Sequence, residues 1–117
     1  MKRILLLLLL CSTTLLMAQQ TDPIQEAMAS YDYETALSLI AQKKPATPLL
    51  LQKGKALRSL GLNAEALSTY QEIIGKDSTN TRALIEAAEC CRTLAKYKQA
   101  SAYYEKVLDL TPENKYV

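Results

Sequence analysis

A repeat with a period of thirty-four residues constrains the fold of this chain more than any other feature of its sequence. Residues 66–70 (ALSTY) recur as residues 100–104 (ASAYY), and Asn80 and Asn114 follow the two copies at the same offset. A fixed period of this length is typical of stacked helical hairpins, because a single hairpin cannot bury its apolar face alone. We therefore predict an all-α fold in which antiparallel helical hairpins stack as a short α-solenoid.

The composition of the chain agrees with helices throughout. The 117 residues include only three Gly and four Pro, so long stretches contain no helix breaker. Apolar residues recur at the i, i+3, i+4 spacing of a buried helical face, which predicts three hairpins at about residues 23–43, 48–76 and 81–110. They form one predicted domain over residues 21–114, followed at residues 115–117 by a tail or by the start of a missing closing helix.

Short polar residues, Pro and Gly mark the ends of the predicted helices. Pro48 is expected to open the third helix, which leaves Thr47 before it in an extended conformation. Gly61 is placed to end that helix in a left-handed turn. The residues expected to cap helix N-termini are Asp22, Asp32, Asn63 and either Thr79 or Asn80.

The helical spacing also predicts which side chains are buried. Tyr70 and Tyr104 are expected in the core, and Tyr31 falls on the predicted buried face of the first helix. Gly54 lies in the middle of the third helix, where Gly costs about 1 kcal/mol relative to Ala. We therefore expect a neighbouring helix to approach so closely at Gly54 that a side chain would not fit.

The N-terminus has the layout of a secretory signal peptide over residues 1–18. Lys2 and Arg3 precede an apolar run, and Ala18 is the expected residue before the cleavage site. Leu16 departs from the pattern, because it is larger than the small residue preferred two positions before the cut. The segment predicts export to the periplasm or out of the cell.

Three other interpretations of this segment compete with cleavage. The apolar stretch is shorter than the roughly 20 residues of a membrane-spanning helix, which disfavours an uncleaved anchor. A lipoprotein signal would place the lipid on Cys11, but Leu10 stands where such signals have a small residue. An amphipathic core helix is disfavoured because residues 5–10 have no polar face. After removal of the signal, we expect no membrane span.

Beyond this segment the chain resembles tetratricopeptide-repeat (TPR) proteins. In that family the second helix of each repeat carries a small residue followed one turn later by an aromatic residue. Ala66 with Tyr70, and Ala100 with Tyr104, match that pattern, and Pro112 matches the Pro near the end of a repeat. The resemblance implies a TPR-like α-solenoid over about residues 21–114.

The chain also departs from the TPR pattern at several positions. Ser78 replaces the expected Pro in the middle repeat, and Lys53 stands where the family usually has an apolar residue. Ala36 precedes Ala66 by thirty residues instead of thirty-four. The first hairpin is therefore expected to be a degenerate repeat.

The resemblance implies that a protein or peptide partner binds the inner, concave side of the first helices. The carboxylate clamp of chaperone-binding TPR domains needs Asn and Lys at matching points, which Leu51 and Ser59 do not supply. A groove of mixed charge suits an extended or helical peptide, although a solvated face without a partner remains the alternative. The implied groove residues are Leu51, Lys55, Arg58, Ser59, Ile85, Glu86, Glu89 and Arg92.

No combination of residues predicts catalysis, and we expect no cofactor and no metal. His is absent, so a Ser/His/Asp arrangement cannot form, and the sequence has no Gly-rich phosphate loop. Cys90 and Cys91 are adjacent, but neighbours on a helix point about 100° apart. That geometry predicts two small buried side chains and disfavours a disulfide between them.

The charges give no reason to expect a nucleic-acid partner. Without the two cations of the signal segment the 14 basic residues fall to 12, equal to the 12 acidic residues. Arg82 lies four residues before Glu86, and Arg92 lies three residues after Glu89. These helical spacings predict ion pairs within one exposed helix face.

The sequence therefore predicts an exported, non-catalytic TPR-type module for protein–protein interaction. The alternative is the N-terminal TPR segment of a larger envelope protein or enzyme whose active part lies beyond Val117. Residues 115–117 are too few for a polar closing helix, so a homodimer through the uncapped last hairpin is a further hypothesis.

Overall fold

The computed structural model describes residues 21–111, which form six α-helices. The predicted signal peptide, Cys11 and every prediction on residues 112–117 lie outside the described residues. In chain order the helices are α1 (Pro23–Ala29), α2 (Tyr33–Ala41), α3 (Thr47–Ser59), α4 (Asn63–Lys76), α5 (Thr81–Thr93) and α6 (Tyr97–Leu110).

The helices pair as three antiparallel hairpins that stack in the order of the chain. Helix α1 packs on α2, α3 on α4, and α5 on α6, while contacts of α2 with α3 and of α4 with α5 join successive hairpins. The residues that the structure describes contain no β-strand. This arrangement confirms the predicted all-α fold of stacked helical hairpins.

Three of the predicted helix caps are confirmed and one is wrong. Asp22, Asp32 and Asn80 accept hydrogen bonds from backbone N–H groups in the first turns of α1, α2 and α5, at 3.0, 3.3 and 3.0 Å. Asn63 is instead the first residue of α4, and its side chain donates a long hydrogen bond of 3.4 Å to the Gly61 carbonyl. The tight turn after α3 brings the chain into helical geometry one residue earlier than predicted.

The two ends of α3 differ in how well the sequence predicts them. Gly61 has a φ of +79°, which confirms the left-handed turn after the helix. Thr47 is already the first residue of α3, so the prediction that it is extended is wrong, and Ala46 is the extended residue. The helix can begin before Pro48 because backbone N–H groups in the first helical turn make no intrahelical hydrogen bond. The missing N–H of Pro therefore removes no hydrogen bond from the helix.

Small residues at the helix crossings let the helices approach closely. Ala66 and Ala88 are fully buried, and Ala100 is nearly so. A Cβ atom placed on Gly54 would lie within 3.0 Å of three Tyr70 side-chain atoms, Cζ, Cε1 and Oη. The predicted close approach at Gly54 is therefore confirmed, and its partner is the Tyr70 ring of α4.

Burial confirms the prediction for Tyr70 but not for two other tyrosines. Tyr31 is 78% exposed, because it follows the end of α1 with a φ of +61° and leaves the buried face of that helix. Tyr104 is only half-buried. Its equivalent, Tyr70, is covered by the next hairpin, whereas no described helix follows α6.

The first hairpin is shorter than the other two, in agreement with its degenerate spacing. Helix α2 has 9 residues, whereas α4 and α6 each have 14. At 1.5 Å per residue, α2 is about 7.5 Å shorter than the second helix of either later hairpin.

Candidate functional site

An ion pair between two hairpins lies at the centre of the candidate site. Nη1 of Arg58, on α3, donates to Oε2 of Glu86, on α5, at 2.6 Å. The expectation of a pair within the α5 face is therefore wrong for Glu86, whose partner comes from the preceding hairpin. Partial burial acts to lower the pKa of Arg58, but the hydrogen bond and the charge of Glu86 outweigh it, and the pKa is raised. The pair links α3 to α5.

A cleft with a volume of about 410 Å³ opens beside this ion pair. Five of the eight predicted groove residues line it, four from α3 and one from α5. The structure therefore brings these five together, and partner binding to them stays a prediction. The lining residues are Leu51, Lys55, Arg58, Ser59, Tyr70, Arg82 and Glu86.

The cleft continues toward the first hairpin as a larger hollow of about 660 Å³. Leu51, Lys55 and Arg82 line both spaces, so the two form one continuous surface depression. On the side of α1, this hollow is lined by Met28 and Gln25 among others. We call the two hollows together the inner groove; it runs across the first helix of all three hairpins.

Tyr70 and Arg82 line the cleft although neither belongs to the predicted groove set. Arg82 lies four residues before Glu86, one helical turn away on the same helix face. The helical period could therefore have predicted Arg82 as a groove residue. Tyr70 belongs to a second helix and is buried, but it lines the cleft between α3 and α5. No spacing within α4 distinguishes a core tyrosine from one that also lines a cleft.

The other three predicted residues lie outside the cleft. Ile85 is 40% exposed on α5. Nη2 of Arg92 donates to Oε2 of Glu89 at 2.6 Å, which is the predicted ion pair within one helix face. The Tyr104 hydroxyl donates to Oε1 of the same carboxylate at 2.5 Å, so Glu89 links α5 to α6.

The contacts of Glu89 predict a stability that depends on pH. The hydrogen bond from Tyr104, and then that from Arg92, hold the pKa of Glu89 below its usual value. A carboxyl whose pKa is lower in the folded state stabilises the fold above the unfolded pKa of about 4.3. This contribution disappears as the pH falls through the folded-state pKa.

We expect the free energy of unfolding of the Glu89→Gln variant to be about 1 kcal/mol lower than that of wild type at pH 7. At about pH 3 this difference in the free energy of unfolding should be smaller. Urea denaturation followed by circular dichroism at both pH values measures this. Glu105→Gln, at an exposed position of α6, is the matched control. A constant difference between wild type and Glu89→Gln at both pH values contradicts the prediction.

Cys90 and Cys91 are both buried and unpaired, in agreement with the prediction for them. Burial raises the pKa of the Cys90 thiol to about 11 and also raises the pKa of Cys91. Thiols with raised pKa values are poor nucleophiles and poor metal ligands. Within residues 21–111 there is no cluster of three or more His, Cys, Asp or Glu side chains suited to a metal.

The helices that the structure describes include none with the length and apolar character needed to cross a membrane.

Comparison with known proteins identifies the repeat and the fold. The family model described as tetratricopeptide repeat matches residues 81–114. No curated protein sequence matches the chain.

Two solved structures resemble the chain at low sequence identity. The crystal structure of PcrH in complex with the chaperone binding region of PopB superimposes with a TM-score of 0.70 and 20% identity, over 79% of this chain and 77% of PcrH. MamA MSR-1 C2 gives a TM-score of 0.69 and 18% identity, over 77% of this chain and 54% of that one. These likenesses confirm the predicted TPR-like α-solenoid.

Proposed function

We propose that this chain, in which residues 81–114 match the tetratricopeptide repeat, is a protein–protein interaction module that holds a peptide or protein segment in the inner groove. The observation that carries the proposal is the groove itself, which is continuous across the first helix of each hairpin. An extended or helical segment laid along it would contact all three hairpins at once. The proposal includes no catalytic activity.

The solved structure of PcrH supports this use of the fold. PcrH was crystallised with the chaperone binding region of PopB, so that protein holds a segment of another protein. Its fold is shared over 79% of the present chain. By analogy, we infer the same general kind of partner here, a segment of another protein.

The charges of the groove suggest that the segment is acidic. Lys55 and Arg82 form no ion pair with a carboxylate among residues 21–111, whereas Glu86 is already neutralised by Arg58. Asp22, at the far end of the groove, is occupied as the cap of α1. An acidic side chain between Lys55 and Arg82 would pair with both cations.

Apolar residues beside those cations suggest where the segment is anchored. Leu51 and Met28 are half-buried and line the larger hollow. Covering apolar surface contributes roughly 25 cal/mol per Å², whereas an exposed ion pair contributes about 0.2–1 kcal/mol. We therefore propose that an apolar side chain supplies most of the affinity and that the acidic one supplies selectivity.

Reversing two groove charges tests this proposal. We expect the Lys55→Glu, Arg82→Glu double variant to retain the fold and to bind its partner about tenfold or more weakly. Lys98→Glu, Lys106→Glu, at exposed positions of α6, is the control with the same change in charge. Arg58 is not changed, because its loss would leave Glu86 unpaired and disturb the contact between the hairpins.

The measurement is affinity capture from an envelope extract, followed by titration of the identified partner against all three forms. Circular dichroism confirms that each variant remains helical. If the groove variant and the control retrieve the same partners with equal affinity, the inner groove is not the binding site.

The site of action proposed for this module is the cell envelope, in the periplasm or outside the cell. The support is the signal-peptide layout of residues 1–18. Expression in a bacterial host followed by N-terminal sequencing tests it, since a mature chain that begins at Gln19 is the expected product. The N-terminal TPR segment of a larger envelope protein or enzyme is the alternative within the same compartment.

Self-association through α6 is a second proposal for a partner. Tyr104 is half-buried on this helix, and Leu108, one turn later on the same side, is 39% exposed. Such a face suits a second copy of the chain, which would bury these side chains. Sedimentation equilibrium that shows only monomer at high concentration counts against the homodimer.

A further inference from the structure

A second hollow, separate from the inner groove, lies where the short first hairpin meets the second. In the last hairpin Ala83 and Ala87 are fully buried in the core, where α4 packs on α5. Thirty-four residues earlier the equivalent residues are Leu49 and Lys53, and both are only half-buried. Helix α2 is about 7.5 Å too short to cover them as α4 covers its neighbour.

The space left by the missing turns has a volume of about 440 Å³. Buried side chains of Ile40, Leu50 and Leu57 line it, together with half-buried Leu37 and Leu49. We call it the hairpin pocket. Its volume falls in the range of roughly 300–1,000 Å³ that is usual for small-molecule sites, and its lining is mainly apolar, as such sites generally are.

Three lysines border the hairpin pocket, and no acidic residue lines it. Lys43 and Lys44 come from the connection between α2 and α3, and Lys53 comes from α3. None of the three forms an ion pair within the part of the chain that the structure describes. Glu65 and Glu72 line an adjoining hollow that shares Lys53 and Leu57 with the hairpin pocket. Lys43 and Lys44 are therefore the cations of the pocket least compensated by neighbouring charge.

We propose that the hairpin pocket binds a single-chain anionic amphiphile, with its alkyl chain over Ile40, Leu50 and Leu57 and its carboxylate between Lys43 and Lys44. Apolar walls account for the chain, and ammonium groups at the rim account for the head. A small amphiphile fits better than a partner helix, because the pocket is bounded by α2, by the connection and by α3. The site is independent of the proposed peptide groove, with which it shares only Leu49.

Titration of the full chain with sodium dodecanoate, kept below its critical micelle concentration, tests this proposal. Backbone amide shifts measured by NMR locate the binding site, which separates the hairpin pocket from the apolar residues 4–10. We expect saturable, one-to-one binding, with the largest shifts within residues 37–57. Dodecyltrimethylammonium, which has the same chain and the opposite charge, is expected to bind at least tenfold more weakly.

Charge reversal at the rim supplies the matched variants. The Lys43→Glu, Lys44→Glu variant changes two exposed side chains and is expected to weaken dodecanoate binding about tenfold, while Lys98→Glu, Lys106→Glu changes it less than twofold.

Four outcomes would overturn the proposal. They are the absence of saturable binding, shifts centred outside residues 37–57, equal binding of the cationic amphiphile, and an unchanged affinity in the Lys43→Glu, Lys44→Glu variant. Binding at this pocket of an acidic peptide but not of dodecanoate would show that the ligand class is wrong.

Discussion

Replacing Gly54 with Ala is expected to lower the free energy of unfolding by about 2 kcal/mol, although Ala is the better helix former. The new Cβ would fall within 3.0 Å of the Tyr70 side chain, which is buried and has little room to move. Overpacking costs about 1–3 kcal/mol, and three atoms within 3.0 Å put this site at the upper end of that range. After the roughly 1 kcal/mol that Ala gains in helix propensity, a net loss of about 2 kcal/mol remains. Because Tyr70 also lines the cleft, we expect its displacement to weaken partner binding as well.

Gly75 provides the matched control in the neighbouring helix. It lies within α4, and a Cβ placed there meets no atom within 4 Å. Gly75→Ala is therefore expected to stabilise the fold by about 0.5–1 kcal/mol, opposite in sign to Gly54→Ala. Urea denaturation followed by circular dichroism measures both changes.

A second-site change shows whether the clash with Tyr70 is the cause. In a Gly54→Ala, Tyr70→Leu double variant the new methyl group has space. The stability lost by the double variant should therefore be less than the sum of the losses in the two single variants. Additive costs, or a Gly54→Ala variant as stable as wild type, would mean that the helices are not held as closely as the structure has them.

Truncation of Leu84 is expected to produce the other large loss of stability. Leu84 is 0% exposed in α5, and Leu→Ala changes at such sites cost about 2–5 kcal/mol through lost burial and the cavity that remains.

Ile85, the next residue along α5, separates stability from binding. It is 40% exposed, so Ile85→Ala should change the free energy of unfolding by less than about 1 kcal/mol. Although Ile85 is a predicted partner-binding residue, it lies outside the inner groove, so Ile85→Ala should lower the affinity for the captured partner less than the groove variant does. Comparable stability losses in the two variants, measured by thermal and urea denaturation, would show that the assignment of buried and exposed faces of α5 is wrong.

The repeat period predicts most of the fold because it reflects contacts between helices that are neighbours along the chain. A small residue every thirty-four positions, at Ala66 and Ala100, requires a helix crossing at each, and both are buried. Gly54 is informative for the same reason, since its cost in a helix implies a close neighbour. Errors of one residue arise at helix starts, as at Thr47 and Asn63, where the first turn tolerates several side chains.

The sequence predicts the candidate site only in part, because that site depends on contacts between hairpins. Arg58 and Glu86 are twenty-eight residues apart, and neither helix alone indicates that they pair. The hairpin pocket likewise follows from the length of α2 relative to α4, which the thirty-residue offset of Ala36 suggests but does not locate. Lys53 departs from the repeat pattern at a position expected to be apolar, and it lines the hairpin pocket.

The stacking of each helix mainly against its neighbours along the chain has a consequence for how the molecule opens. Nearly all packing joins segments that are close in sequence, so folding can begin in any hairpin and spread outward with little loop entropy to overcome. Within residues 21–111, the first and last hairpins each have one stacked neighbour and the central one has two. Amide hydrogens in α3 and α4 should therefore exchange most slowly, while α1 and α2 open and close around them.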